Sequence, residues 1–274
     1  MKQKSNLLNK LFNVENKVAL VTGGGSGIGK MISEVLALSG SKVYISSRKS
    51  EIIERTANEI NLKMPKYKVQ YICSDLSSES GIKNLVKKFG DKERNLDILV
   101  NNSGVSWGAK LGEFPYHAWD RVMRVNVTGL FHLTQSLLPK LASKATLEQP
   151  SKVINVGSVM GIAALGDGPY SYSASKSAVH HMTKILAKEL AQKKITVNAL
   201  APGPFLSRMT EFAVGKEEDK KRVSKNVPFG RIGHSSDIQG TILYLCGPSG
   251  NYITGAIIPI DGGMHVATGP EIFE

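Results

Sequence analysis

Short, continuous apolar runs alternate along this chain with longer stretches in which apolar residues return every three or four positions. The first run, residues 18–21 (VALV), ends in a glycine cluster. Ile28, Met31, Ile32, Val35, Leu36 and Leu38 follow at helical spacing until Gly40. Further runs predict strands at 42–46, 69–73, 96–100, 152–156, 195–200 and in the AIIPI stretch near the end. Helical spacing predicts helices at 50–61, 78–89, 116–141 and 172–192. Strands that are apolar throughout, and separated by helices, belong to a parallel sheet covered on both faces. The pattern therefore predicts one α/β domain, a doubly wound parallel sheet of about seven strands with helices on both faces. Neither a linker nor an internal repeat divides it.

Residues 1–16 precede this pattern and read as a short N-terminal extension, leaving 17–274 as the domain. The first 17 residues carry four lysines against one glutamate, without the solid apolar stretch of a secretory signal. A second irregular segment, 202–233, holds Pro202, Pro204, Pro228 and the charged patch GKEEDKKR, and reads as a lid (about 204–233) at the edge of the sheet.

Composition narrows the function classes. With 41% hydrophobic residues spread along 274 positions, disorder is excluded, and no apolar run reaches the roughly 20 residues of a membrane span. Two isolated cysteines, Cys73 and Cys246, make neither a disulfide framework nor a metal motif, so a reducing cytoplasmic setting is expected. The net charge of +12 is dispersed on helix faces, as at Lys83, Lys87, Lys88, Lys92 and Arg94. That reads as a solvated surface rather than a nucleic-acid footprint. His180 and His181 are adjacent and point apart on a helix, a poor zinc pair.

The chemistry begins at Thr22-Gly23-Gly24-Gly25-Ser26-Gly27-Ile28-Gly29. A glycine turn between a strand and an amphipathic helix lets the backbone approach a pyrophosphate at a helix N-terminus. Its spacing, Gly23-x3-Gly27-x-Gly29, resembles that of the short-chain dehydrogenase/reductase family. Tyr172-Ser-Ala-Ser-Lys176 fits that family's YxxxK pattern, and a four-residue step puts both side chains on one helix face. Ser158 directly follows the fifth strand. Asn126 and Gly129 sit in the middle of a predicted helix, where both are unfavourable. NNSG (101–104), GS (157–158) and APGP (201–204) all fall just past strand ends, where open α/β sheets bind ligands. The resemblance covers about residues 14 to 263.

This resemblance implies a Rossmann-fold oxidoreductase with a nicotinamide cofactor and catalytic residues Ser158, Tyr172, Lys176 and Asn126. Ser158 polarises the substrate carbonyl and Tyr172 exchanges the proton. Lys176 binds the nicotinamide ribose, and Asn126 anchors a water linking the lysine to solvent. Lys176 and an oxidised nicotinamide are expected to bring the Tyr172 pKa down towards neutrality. The implied cofactor contacts are Gly23, Gly25, Ser26, Gly27, Ile28, Gly29, Ser47, Arg48, Asp75, Leu76, Asn102, Ser103, Gly104, Tyr172, Lys176, Pro202 and Gly203. No acid ends the second strand, where Ser46-Ser47-Arg48-Lys49 stands instead. A guanidinium pairs with a 2′-phosphate, so NADPH is favoured over NADH, although Ser26 occupies a position that is often basic in NADP-preferring relatives. Asp75 matches the adenine-binding acid and also fits a helix N-cap.

Several stretches, among them LDILVNNSGVSWGA and YITGAIIPIDGG, resemble the β-ketoacyl reductases of the family, including the kind associated with rhamnolipid synthesis. This implies reduction of a 3-oxoacyl thioester carried by CoA or acyl carrier protein, in a homotetramer, with no membrane or nucleic-acid partner. Lys216, Lys220, Lys221, Arg222 and Lys225 fit either an anionic carrier or a solvated helix. A sugar, polyol or steroid-type dehydrogenase remains the alternative, and a non-catalytic nucleotide sensor or RNA-binding protein a remote one. Trp107 and residues 205–209 are expected to border the substrate. The 14-residue step from Ser158 to Tyr172 predicts a distinctive loop over 161–170.

Overall fold

The structure is a computed structural model that describes residues 2–207 and 209–267. Seven strands form one parallel sheet: β1 Val18–Thr22, β2 Lys42–Ser47, β3 Gln70–Cys73, β4 Ile98–Asn101, β5 Ser151–Val156, β6 Ile195–Pro202 and β7 Ile257–Ile260. Their order is β3-β2-β1-β4-β5-β6-β7, so the chain steps outward from β1, returns, and continues from β4 on the other side. The reversal between β1 and β4 opens a crevice at the strand carboxyl ends. The doubly wound sheet predicted from sequence is the observed one, with strand ends shifted by a residue or two.

Alternation within single strands divides the core into two layers. Ala19 and Val21 of β1 face the helices α2 Gly27–Leu38, α3 Ser50–Asn61 and α10 Ser235–Cys246. Val18 and Leu20 face the opposite layer of α4 Glu79–Gly90, α6 Leu130–Ala142 and α7 Tyr170–Leu190. Among the described residues strand β7 pairs only with β6; it is half-buried along its length and carries Pro259, as an edge strand tolerates.

Four differences from the sequence expectation concern helices. The extension contains a helix, α1 Lys2–Phe12, whose end packs against Gly247. The α10 helix follows the lid and was not foreseen. In the lid, the charged patch forms a helix, α9 Glu217–Lys225, as its pattern suggested, but a short α8 Glu211–Val214 precedes it unannounced. The long helix over 116–141 is three pieces: α5 Tyr116–Met123, a π-helical stretch Arg124–Gly129, and α6. Gly129 lacks a side chain where the Leu76 carbonyl crosses: a Cβ there would lie 2.4 Å from that oxygen. Arg208, in the segment expected to border the substrate, lies outside the described residues.

Candidate active site

The glycine loop closes on itself at a contact that admits no side chain. Gly23 has φ +64°, and a Cβ on Gly29 would sit 2.2 Å from the Gly23 carbonyl oxygen, so α2 starts directly against the turn. Gly25 is held from behind, its carbonyl accepting from Thr56 Oγ1 at 2.8 Å. Ser26 precedes α2 without a side-chain cap, which leaves the first N–H groups of Gly27, Ile28 and Gly29 free for an anion. The cradle fits a dinucleotide pyrophosphate. Asn102 braces it: its Nδ2 donates to the carbonyls of Thr22 at 3.0 Å and Gly23 at 3.1 Å. The backbone N–H groups of Asn102 and Ser103 both donate to Thr22 Oγ1 at 3.0 Å, tying the tips of β1 and β4 together. The Asn102 amide is thus occupied in holding the loop, and the wall towards a cofactor is backbone and Gly104.

Ser47 and Arg48 lie at the tip of β2, with Asp75 and Leu76 just past β3. Asp75 Oδ1 accepts from Ser77 N at 2.9 Å, a local turn, and the helix N-cap proper is Ser78, whose hydroxyl accepts from Gly81 N. Arg48 is exposed and makes no ion pair among the described residues. It lines a cavity of about 350 Å³ with Ser77, His117, Asp120, Arg121, Arg124 and Val125. Arg121 and Arg124 were not singled out from sequence. Their three-residue spacing within a predicted helix was the available clue.

The residues expected to carry acid–base chemistry meet at the tip of β5. Ser158 follows the strand directly, its Oγ accepts from Met160 N at 3.2 Å, and the same hydroxyl acts on the nearby Tyr172 phenol in the direction that lowers its pKa. Tyr172 and Lys176 share one face of α7, with the ammonium 5.5 Å from the phenol ring centroid. Lys176 is buried and donates to the Val156 carbonyl at 2.7 Å. Burial lowers its pKa to about 8. Gly104 lies between Lys176 and Asn126: a Cβ there would come 3.6 Å from Nζ and 3.4 Å from Asn126 Oδ1. Asn126, in the π-helical stretch, bonds the backbone of Val105 through both ends of its amide and donates to Ser175 Oγ, each at 2.9 Å. An insertion of this kind re-aims a helical side chain and is common at functional sites.

One electrostatic expectation runs the other way in the protein alone. Burial pushes the Tyr172 phenol above its ordinary pKa, and the Ser158 hydroxyl offsets this only in part. Lys176, its own pKa lowered to about 8, is still largely protonated at neutral pH, but its charge is not among the causes that shift the phenol. Without a cofactor's positive charge the phenol stays protonated.

Pro202 closes β6, and Gly203 N donates to Ile260 O at 3.0 Å. Beyond them Ser207 reaches the glycine loop, its Cβ 2.7 Å from where a Gly27 Cβ would stand. The opposite rim is aromatic. Trp107 meets His117 edge-on at 5.6 Å, and Phe114 packs on Tyr170 at 5.7 Å and Trp119 at 6.2 Å. Ala109 N donates to Gly168 O at 3.3 Å, which pins the 161–170 loop to this rim. Among the described residues no group of His, Cys, Asp and Glu is arranged to hold a metal, and no helix is long and apolar enough to cross a membrane.

Comparison with known proteins agrees with this geometry. A family model described as short chain dehydrogenase matches residues 17–218. The chain is 43% identical to the rhamnolipids biosynthesis 3-oxoacyl-[acyl-carrier-protein] reductase of Pseudomonas aeruginosa, over 93% of this chain and 98% of the relative. It is 36% identical to the 3-oxoacyl-[acyl-carrier-protein] reductase FabG of Aquifex aeolicus, over 92% and 99%. Among solved structures it resembles a Pseudomonas aeruginosa RhlG/NADP active-site complex, with TM-score 0.89 and 42% identity over 93% of this chain and 99% of that one. It also resembles a gluconate 5-dehydrogenase from Burkholderia cenocepacia in complex with NADP and tartrate, with TM-score 0.85 and 27% identity over 94% and 99%.

Proposed function

Because the chain belongs to the short chain dehydrogenase family, we propose that it is an NADPH-dependent reductase that converts a 3-oxoacyl thioester to the 3-hydroxyacyl form. One observation carries this reading: Ser158, Tyr172 and Lys176 converge at the tip of β5, beside the glycine cradle, in a chain 43% identical to a 3-oxoacyl-[acyl-carrier-protein] reductase.

Gly23 to Gly29 and the α2 N-terminus hold the pyrophosphate, with Asp75 and Leu76 at the adenine and Arg48 at the 2′-phosphate. Arg121 and Arg124 line the same cavity and, with Arg48, outnumber its one carboxylate, Asp120, which leaves the balance there positive. Ser103, Gly104, Pro202 and Gly203 border the nicotinamide half. NADPH supplies the hydride when bound. Tyr172, kept protonated by burial, donates its proton to the substrate carbonyl oxygen, and Ser158 donates a hydrogen bond to that oxygen as charge develops on it. Lys176 holds the nicotinamide ribose and passes Tyr172 a proton taken from solvent, through a water that Asn126 would anchor on the far side of Gly104.

The substrate arrives on acyl carrier protein or CoA, its acyl chain against the aromatic rim of Trp107, Phe114 and Tyr170. The working assembly is a homotetramer, to which β7 offers its unpaired edge.

The reading is tested by following reduced-nicotinamide absorbance with acetoacetyl-CoA, using NADPH and NADH in parallel. Rapid oxidation of NADPH, and much slower oxidation of NADH, is expected. Turnover with a keto-sugar or polyol substrate but not with the thioester would replace the ketoacyl reading by the sugar-dehydrogenase one.

A further inference from the structure

Tyr172, Lys176 and His180 stand four residues apart on α7 and present one face to the end of β5. The first two belong to the site described above; the third has no part in it. His180 is 6% exposed, whereas the adjacent His181 points to solvent. Its ring occupies space that two glycines leave open. A Cβ on Gly157 would lie 2.0 Å from Nε2, and one on Gly161 would lie 2.8 Å from Cε1. The ring therefore lies inside the Gly157–Gly161 turn that carries Ser158.

The polar contacts have a consistent sense. The Ser158 N–H donates to His180 Nε2 at 3.4 Å, and the Gly161 backbone bonds the ring as well. Nε2 accepts only when unprotonated, so this arrangement requires a neutral imidazole. Burial lowers the His180 pKa to about 4, and the nearby charges of Lys176 and Lys184 act in the same direction. One turn further on, Thr183 Oγ1 accepts from Asn155 Nδ2 at 2.9 Å, so α7 is pinned to β5 below the turn as well as at it.

We propose that His180 is a positioning residue for the proposed reaction, accepting the Ser158 backbone N–H and thereby holding the Ser158 hydroxyl in register with Tyr172 on the same helix. This rests on the reading of Ser158 and Tyr172 given above. Ser158 is carried by a loop and Tyr172 by a helix, so their separation is set by whatever ties the loop to the helix. His180 makes that tie from the helix that carries Tyr172. A displacement of the hydroxyl of about 1 Å is enough to cost about a hundredfold in rate.

The test is a double-mutant cycle on the full chain, with kcat, KM for acetoacetyl-CoA and the NADPH Kd measured for each variant. His180→Leu and His180→Phe remove the acceptor while filling the space, and whichever folds and binds NADPH enters the cycle. His180→Gln supplies an amide oxygen as replacement acceptor. Ser158→Ala keeps the backbone N–H but has no hydroxyl to place. The acceptor-free variant is expected to lose at least about tenfold in kcat with NADPH affinity unchanged, and His180→Gln to recover part of that. In the Ser158→Ala background the same substitution is expected to cost almost nothing further, since there is no hydroxyl left to misplace. Undiminished kcat, an equal loss in the Ser158→Ala background, or failure of both acceptor-free variants to bind NADPH would each overturn the proposal. Near-normal kcat in Ser158→Ala itself would instead overturn the reading of the site on which it rests.

Discussion

Asn126 binds Val105 through both ends of its amide, accepting from the backbone N–H and donating to the carbonyl, each at 2.9 Å, while a third bond goes to Ser175 Oγ. One side chain thus joins the loop after β4 to the catalytic helix α7. Asn126→Ala leaves the Val105 and Ser175 groups short of partners, at an expected cost of about 2–3 kcal/mol in stability. Urea unfolding of the variant checks this, and the NADPH reductase rate is expected to fall with it. An unchanged unfolding midpoint contradicts the bracing role.

The tight approach of Gly29 to the Gly23 carbonyl makes a second prediction. A methyl group at Gly29 cannot be accommodated without opening the loop, because the atom it meets is backbone. Gly29→Ala is expected to weaken NADPH binding by at least about tenfold, a loss of about 1.4 kcal/mol. Titration of NADPH fluorescence measures it.

The proposed placement of Arg48 at the 2′-phosphate makes it the residue expected to separate the two nicotinamide cofactors. A hydrogen-bonded charge pair with the 2′-phosphate contributes about 1.5–3 kcal/mol, roughly 10- to 150-fold in affinity. Arg48→Ala is expected to lose that much for NADPH and almost nothing for NADH. Equal losses for both cofactors would place the 2′-phosphate elsewhere, and Arg124, on the same cavity, would be the next residue to change.

Lys152 of β5 is buried, its only side-chain partner among the described residues being Asn251 Oδ1 at 2.8 Å, and desolvation lowers its pKa to about 8. The unfolded value is about 10.4, so between these two pH values the unfolded chain binds the proton more readily and the folded protein gains stability as pH rises. Below pH 8 the full penalty of a buried charge is present. Lys152→Met is therefore expected to raise the unfolding temperature at pH 7, by a margin that shrinks by pH 10. A margin independent of pH contradicts the desolvation account.

What could be read from sequence was what depends on local pattern. Continuous apolar runs located the strands, because both faces of this sheet are covered, and the glycine spacing located the turn after β1. Helix α1 escaped because Leu7, Leu8 and Leu11 sit among polar residues and stay exposed, while the end of the helix is met by Gly247, far away in the chain. Helix α10 shows Ile238, Ile242 and Leu245 at helical spacing, but it follows a lid whose prolines and glycines obscured its start. The π-helical stretch is invisible to periodicity, since Arg124–Gly129 is too short to establish a period of its own between two α-helical segments. Asn126 and Gly129 betrayed it only as residues out of place in a helix. The direction of the Tyr172 pKa was also out of reach, because it depends on desolvation by residues distant in sequence.

The role of Tyr172 is the centre of the account, and one comparison tests it directly. Tyr172→Phe removes the phenolic oxygen and keeps the ring beside Lys176, so the NADPH Kd, followed by fluorescence, is expected to stay at the wild-type value. Reduction of acetoacetyl-CoA by the same preparation is expected to fall by about 10²- to 10⁴-fold, the contribution of a positioned general acid. A variant that binds NADPH normally and reduces the thioester at near wild-type rate would contradict the assignment of Tyr172 as the proton donor.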